Sequence, residues 1–393
     1  MRMRDHLLGG KNCRRSRRLC AIALIFALLV GCGQSAPGTK DSTDQTESVQ
    51  GTDGAENAGT DSTGTDGAEQ VGTDSTGTDG AENAGADSAG TESEKAEAPQ
   101  KEKGALNPLP SKYWLPNENA GTVVRLDYET DAYGSTISKY AYVYLPYGYD
   151  ENKQYDVLYC LHGGGGEIDA YFNTSATPAK TKILFDNMIA NGDIDPIIAV
   201  SPTYYGGSGS SVDQVTEFSK KELINDLIPA VEGTYSTYAE STDPEGIKAS
   251  REHRAYSGFS MGALSTWYTF VYCLDYFYYF IPISGDCWVN GTHNAVGGAT
   301  MLEKVCTESG YGEGDFFIYA VTGDQDIAYS AMQDQMKAMK TNSPSFRFVT
   351  EDNAEGNICF RVQPKARHDY FYMPLYYYNA LPTLWRGGPV YDE

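Results

Sequence analysis

Apolar positions along residues 105–393 follow two alternating rhythms. Short, nearly continuous apolar runs predict strands at "AYVYLP" (Ala141–Pro146), "YDVLYCLHGGGG" (Tyr155–Gly166) and "PIIAVSP" (Pro196–Pro202). The same pattern recurs at "RAYSGFS" (Arg254–Ser260), "YFIPISGD" (Tyr279–Asp286), "DFFIYAVTGDQD" (Asp315–Asp326) and "ICFRVQPKARHDY" (Ile358–Tyr370). Between them, helical spacing marks Lys182–Gly192, Ser219–Tyr235, Ala263–Leu274, Ala328–Thr341 and Tyr370–Trp385. Buried strands alternating with amphipathic helices predict an α/β domain with a mostly parallel central sheet flanked by helices. In open sheets of this kind ligands bind beyond the carboxyl ends of the strands.

The N-terminal quarter has neither rhythm. Basic residues crowd positions 1–18, an apolar run "LCAIALIFALLV" (Leu19–Val30) follows, and Gly31 and Cys32 come next. This is the layout of a secretory signal over residues 1–31, and the run falls short of the roughly 20 apolar residues of a membrane span. "LVGC" (Leu29–Cys32) resembles the lipobox of bacterial lipoproteins, which implies lipidation of Cys32 and an anchored, extracellular protein. Residues 32–104 then read as an acidic tether: "GTDGAE" begins at Gly51, Gly64 and Gly77, and no aromatic residue occurs from 33 to 104. Such a segment cannot bury enough apolar surface to offset its ordering entropy, and as a flexible coil it would span roughly 50 Å.

The formal charge of −23 and the absence of a basic patch exclude nucleic acid as an expected partner, and leave the N-terminal lipid as the expected membrane contact. Of the eight cysteines, Cys13 and Cys20 belong to the signal and Cys32 to the lipidation site. The rest show no C-x-x-C spacing that suggests zinc. A Cys287–Cys306 bridge suits an oxidising location, and Cys160 reads as a free buried thiol.

Candidate chemistry centres on "GFSMG", which places Ser260 between Gly258 and Gly262 at a predicted strand–helix junction. A serine hydroxyl is a weak nucleophile unless held exposed beside a base, and G-x-S-x-G achieves the exposure with a tight turn. Of the five histidines, only His293 and His368 follow Ser260, and His368 leaves room for an acid between them. Candidate acids at strand ends are Asp286, Asp324 and Asp326, with Asp326 favoured over Asp324. The oxyanion donors expected are the N–H groups of Met261, next to the nucleophile, and Gly164 in the glycine run. His162, Tyr171 and Trp288 are expected against the substrate. No metal and no organic cofactor is called for.

"LHGGGGEIDAYF", "GFSMG", "FIPISGDCW", "GDQD" and "RHDY" together resemble the esterase D-like branch of the α/β-hydrolases. Within it they are most similar to family 1 carbohydrate esterases, the feruloyl and acetylxylan esterases. The resemblance spans most of residues 110–390 and implies Ser260 as nucleophile, His368 as base, Asp326 as acid, and donors at Gly164 and Met261. Two positions depart from the commoner pattern: Ala263 stands where a third glycine often follows, and Tyr370 replaces the tryptophan of Gly-His-Asp-Trp. The expected activity is hydrolysis of feruloyl esters on plant cell-wall xylan. Acetylxylan esterase, siderophore esterase, acyl transfer to an envelope sugar and a non-catalytic carbohydrate-binding lipoprotein are the alternatives.

Overall fold

The computed structural model describes residues 105–173, 179–350 and 355–385. The signal, Cys32 and the acidic repeat lie outside the described residues.

Ten strands and eight α-helices run in the order β1 (Thr122–Thr130), β2 (Ile137–Leu145), β3 (Asp156–Leu161), α1 (Lys180–Asn191), β4 (Ile197–Ser201), α2 (Ser211–Glu217), α3 (Ile228–Glu232), α4 (Pro244–Ala249), β5 (Arg254–Phe259) and α5 (Met261–Cys273) among the described residues. They continue with β6 (Tyr279–Ile283), β7 (Trp288–Val289), β8 (Thr292–His293), α6 (Ala295–Ser309), β9 (Phe317–Gln325), α7 (Tyr329–Asn342), β10 (Ile358–Arg367) and α8 (Met373–Ala380). Eight strands form one sheet in the order β1-β2-β4-β3-β5-β6-β9-β10. The β1–β2 and β2–β4 pairs are antiparallel, and every pair from β4 to β10 is parallel. The expected mostly parallel sheet is therefore present.

Its central strands are buried on both faces, which is why they read as continuous apolar runs. Along β3, Val157, Tyr159 and Leu161 join one apolar cluster while Leu158 and Cys160 join the other. That alternation is the two-residue period of a strand. Helix ends follow local chemistry: Ser210 and Asp213 cap α2 reciprocally, and Gly192 ends α1 with φ 75°.

Three features depart from the sequence pattern. Between α2 and α3 the chain is π-helical over Phe218–Leu227, where a continuous α-helix is predicted. The wider turn accompanies burial of Glu222, whose carboxylate pairs with Lys139 at 2.7 Å. A short hairpin, β7–β8, and helix α6 follow the sixth strand, and the edge strand β1 precedes the first predicted one. Finally, Cys160, Cys273, Cys287, Cys306 and Cys359 are all buried and none is in a disulfide, so the Cys287–Cys306 bridge is absent.

Arg254 opens the strand that leads to Ser260 and is 1% exposed. Its guanidinium donates to both carboxylate oxygens of Glu232 at 2.6 and 2.8 Å, to Ser250 Oγ at 2.9 Å, and to the carbonyls of Ile247 and Tyr276 at 3.0 and 2.6 Å. Truncating it leaves a buried carboxylate uncompensated. Arg254→Met is expected to cost about 3–5 kcal/mol in urea unfolding. A cost of less than about 1 kcal/mol would show that Glu232 is satisfied without it.

Candidate active site

Strand β5 delivers Ser260 into a turn that no ordinary L-residue favours, with φ 58° and ψ −113°. Holding a non-glycine residue there costs on the order of 1–3 kcal/mol, which the surroundings must offset. The Ser260 N–H donates to Ile283 O at 2.9 Å, and its carbonyl accepts from Ala263 and Leu264 at 2.8 and 3.1 Å. The two glycines are there for space. A β-carbon on Gly258 would lie 2.4 Å from the backbone of Gly262, and one on Gly262 would lie 2.0 Å from the carbonyl of Leu161. Strand β3, strand β5 and helix α5 thus cross almost backbone to backbone, and the serine stands out at the crossing, partly exposed.

His368 reaches this serine from the far edge of the sheet. Its Nε2 lies 2.9 Å from Ser260 Oγ and its Nδ1 2.7 Å from Asp326 Oδ1. Asp326 follows β9 and His368 follows β10, two parallel neighbours whose carboxyl ends open on the same side as that of β5. Asp326 is 6% exposed. Burial alone would raise its pKa, but the His368 imidazole, the nearby Ser284 hydroxyl and the Ala328 N–H outweigh burial and hold it below the usual carboxylate range. Asp324, the other candidate, accepts from the Lys365 N–H at 2.6 Å and holds an irregularity in β10, where Lys365 has φ 63°. Among the described residues no three His, Cys, Asp or Glu side chains converge as a metal requires.

The glycine run after β3 faces the same crossing. A β-carbon on Gly163 would lie 3.2 Å from Ser260 Cβ, and one on Gly164 would lie 3.1 Å from Met261 Cγ. Behind it, His162 is fully buried, with Nδ1 2.8 Å from the Gly163 carbonyl and Nε2 2.8 Å from Thr203 Oγ1. A carbonyl can only accept, so Nδ1 carries the proton and Nε2 accepts from the threonine. Burial, with Lys139 nearby, lowers the His162 pKa and keeps the ring neutral. The peptide between Gly163 and Gly164 is planar, so fixing the Gly163 carbonyl also sets the direction of the Gly164 N–H, on the opposite side. Met261 starts α5, and the N–H groups of a first turn have no intrahelical partner. The glycine loop and the start of α5 therefore lie beside a serine that is hydrogen-bonded to a histidine and, through it, to a carboxylate.

The family model for esterases matches residues 138–372, which is more than half of the chain. The chain belongs to the Esterase family. It is 42% identical over 275 residues to the endo-1,4-beta-xylanase Y of Acetivibrio thermocellus, covering 70% of this chain but only 24% of that protein. An endo-1,4-beta-xylanase/feruloyl esterase of Xylanibacter ruminicola is 32% identical over 160 residues, covering 38% of this chain and 19% of the relative. The chain thus spans about a quarter or less of the length of these curated relatives. Among solved structures it is similar to a serine-to-alanine mutant of the feruloyl esterase module of Clostridium thermocellum complexed with sinapinate. That match has 39% identity and a TM-score of 0.64, and covers 74% of this chain and 96% of the module. A ferulic acid esterase of the anaerobic fungus Anaeromyces mucronatus shares the fold at 21% identity and a TM-score of 0.51, covering 71% of this chain and 98% of that one.

In this Esterase-family domain the expected substrate-contacting residues separate. Trp288 lies half-buried on the β7–β8 hairpin, its Nε1 donating to Asp286 Oδ1 at 3.1 Å. The same oxygen lies 2.8 Å from His293 Nδ1, which places His293 on the hairpin rather than beside Ser260. The loop leading there packs on the serine turn, since a β-carbon on Gly285 would lie 2.8 Å from the Ser260 carbonyl. His162 and Tyr171 require correction. Both are fully buried, His162 with both ring nitrogens engaged and Tyr171 donating its hydroxyl to Leu161 O at 2.9 Å, so neither has a free face for a substrate.

An activated serine is phosphonylated by fluorophosphonate reagents, and an unactivated one is not. The geometry predicts labelling at Ser260 alone, read by peptide mass spectrometry, with labelling lost in His368→Ala and slowed in Asp326→Asn by roughly 10³–10⁴-fold. Labelling of Asp326→Asn at the wild-type rate would show that the Asp326–His368 contact does not orient the base.

Proposed function

We propose that this chain is a serine esterase that releases hydroxycinnamoyl groups, ferulate foremost, from plant cell-wall xylan. The observation that carries the reading is the continuous hydrogen-bonded line from Asp326 through His368 to a strained, outward-facing Ser260. It is supported by the likeness of 74% of this chain to nearly the whole of a feruloyl esterase module.

The chemistry follows from the arrangement. As Ser260 Oγ attacks the ester carbonyl, its proton passes to His368 Nε2, and Asp326 stabilises the imidazolium that forms. The carbonyl oxygen becomes an oxyanion, met by the N–H groups of Gly164 and Met261, donors already aimed and costing no reorganisation. Collapse breaks the bond to the sugar oxygen, which takes the proton from His368 and leaves, with the acyl group now on Ser260. Water then loses a proton to His368 as it attacks the acyl-serine. The second oxyanion collapses, Ser260 recovers its proton, and the free acid departs. No cofactor enters any step. Trp288, its indole tethered by Asp286, is the proposed wall for the aromatic acyl group, and the xylan or oligosaccharide carries the leaving hydroxyl.

The proposed location is the outer face of the bacterial cell membrane. Cys32 would carry the lipid, and residues 33–104 would let the esterase domain reach a polymer away from the lipid surface.

The test is release of ferulate from methyl ferulate and feruloylated arabinoxylan, with acetylated xylan in parallel. Ser260→Ala is expected to lower turnover by roughly 10⁶-fold. Trp288→Ala is expected to lower kcat/KM for the cinnamoyl ester roughly tenfold, about 1.4 kcal/mol, and to leave acetyl esters unchanged. Acetate release alone would move the reading to acetylxylan esterase, and no serine-dependent turnover of any ester would leave the carbohydrate-binding lipoprotein in front.

A further inference from the structure

Four consecutive glycines, Gly163 to Gly166, form the loop beside the nucleophile. Glycine peptides have no β-carbon to bias their orientation, so the direction of each N–H must be imposed from outside. Three of the four are visibly imposed. Gly163 donates to the phenol oxygen of Tyr370 at 2.6 Å, Gly165 to that of Tyr205 at 2.9 Å, and Gly166 to the Gly163 carbonyl at 3.1 Å. Among the described residues no acceptor meets the N–H of Gly164.

We infer that Tyr370 and Tyr205 are positioning residues for the oxyanion site, two phenols that take the amides on either side of Gly164 and leave it as the one loop donor free for the reacting carbonyl. The inference rests on the esterase reading above for its catalytic consequence.

Peptide planarity makes the clamp effective. The Gly163 N–H belongs to the plane shared with His162, the Gly164 N–H to the next plane, and the Gly165 N–H to the one after. Tyr370 pins the first plane, His162 and Gly166 pin the second through the Gly163 carbonyl, and Tyr205 pins the third. A flip of the central plane needs compensating rotations in its neighbours, and both neighbours are held. The two acceptors are themselves placed. Tyr370 packs its ring on Phe259 with centroids 4.6 Å apart and edge-on to Tyr171 at 6.3 Å, which is what the buried Tyr171 does for the site. Tyr205 lies against His162 at 5.2 Å and its hydroxyl accepts from Tyr204 at 3.2 Å. A β-carbon on Gly166 would come within 2.9 Å of the Tyr370 hydroxyl, so a glycine there makes room for the phenol.

A phenol suits the task because it accepts without bearing charge. Burial raises the Tyr370 pKa, so the group beside the developing oxyanion stays neutral. A carboxylate in its place would repel the negative charge that the site must stabilise.

Tyr370→Phe and Tyr205→Phe remove only the hydroxyl and keep the ring. Each is to be measured alone and combined, with the 59% exposed Tyr147→Phe as control. Two readouts are needed: kcat and KM on methyl ferulate, and amide hydrogen exchange across residues 161–167. Each single variant is expected to lower kcat roughly tenfold and the pair roughly a hundredfold, with KM within about twofold of wild type. Exchange at Gly163 or Gly165 is expected to rise more than about tenfold in the matching variant. Tyr370→Trp should behave as Tyr370→Phe, because an indole N–H donates and cannot accept. Unchanged exchange overturns the clamp whether or not the protein turns over esters. Faster exchange with unchanged kcat overturns its role at the oxyanion site. A wild-type protein that hydrolyses no ester, with exchange responding as expected, overturns the esterase reading and the oxyanion role while the clamp stands.

Discussion

The constraint on which the site depends is the crossing of three backbone segments at Gly258, Gly262 and Leu161. Only glycine lets helix α5 start this close to β3 and β5. The closeness does more than save space. It points the first turn of α5, with its unpaired N–H groups, at the end of β3, where the glycine loop begins. It forces Ser260 into a conformation that throws its hydroxyl outward. It also sets the height above the sheet at which anything arriving from β9 and β10 must meet that hydroxyl. The spacing of Ser260, the glycine loop and His368 follows from this one crossing.

Behind the crossing stands a largely buried polar layer. Lys139 donates to the Thr203 carbonyl at 2.7 Å and pairs with Glu222, whose carboxylate also receives the hydroxyl of Tyr128. Thr203 in turn serves His162, and His162 holds the loop. Buried charge of this kind adds little stability on its own, since desolvation offsets most of the attraction. Its effect is geometric: each partner has one arrangement that satisfies it, and that arrangement fixes the tautomer of His162 behind the glycine loop. The π-helical stretch that carries Glu222 is part of this layer, which accounts for a wide turn in the middle of an otherwise helical segment.

Much of this was legible in the sequence, and the exceptions share a cause. Central strands announce themselves because both faces are buried, and the serine motif because its glycines are demanded by sterics. The order of serine, acid and histidine along the chain reflects the order of strands, so Asp326 and His368 could be located without coordinates. Asp324 and Asp326 could not be separated with certainty, being two residues apart at one strand end; the decision lies in the irregularity of β10, which brings the Lys365 amide to Asp324. Strand β1 lies at an edge with most of its residues at least partly exposed, and so has little hydrophobic pattern. The β7–β8 strands are two residues each, too short for a period, and α6 carries Gly297 and Gly298 in its first turn, residues that ordinarily argue against a helix. His162, Tyr171, Tyr205 and Tyr370 show the deeper limit. A polar aromatic at a strand end reads equally well as a binding residue or a buried strut, and only contacts across 40 or 207 positions of chain separate the two.

The five cysteines of the domain are buried and form no disulfide. Burial pushes the Cys160 and Cys306 thiols up to about 12, so at neutral pH they are uncharged and poor nucleophiles. With no bridge among these cysteines, the fold is held by packing and hydrogen bonding, and the buried ion pairs fix geometry more than they add stability. Such a domain carries no record of the redox potential around it. The contacts that hold Ser260 against His368 would therefore not change with the redox conditions around them.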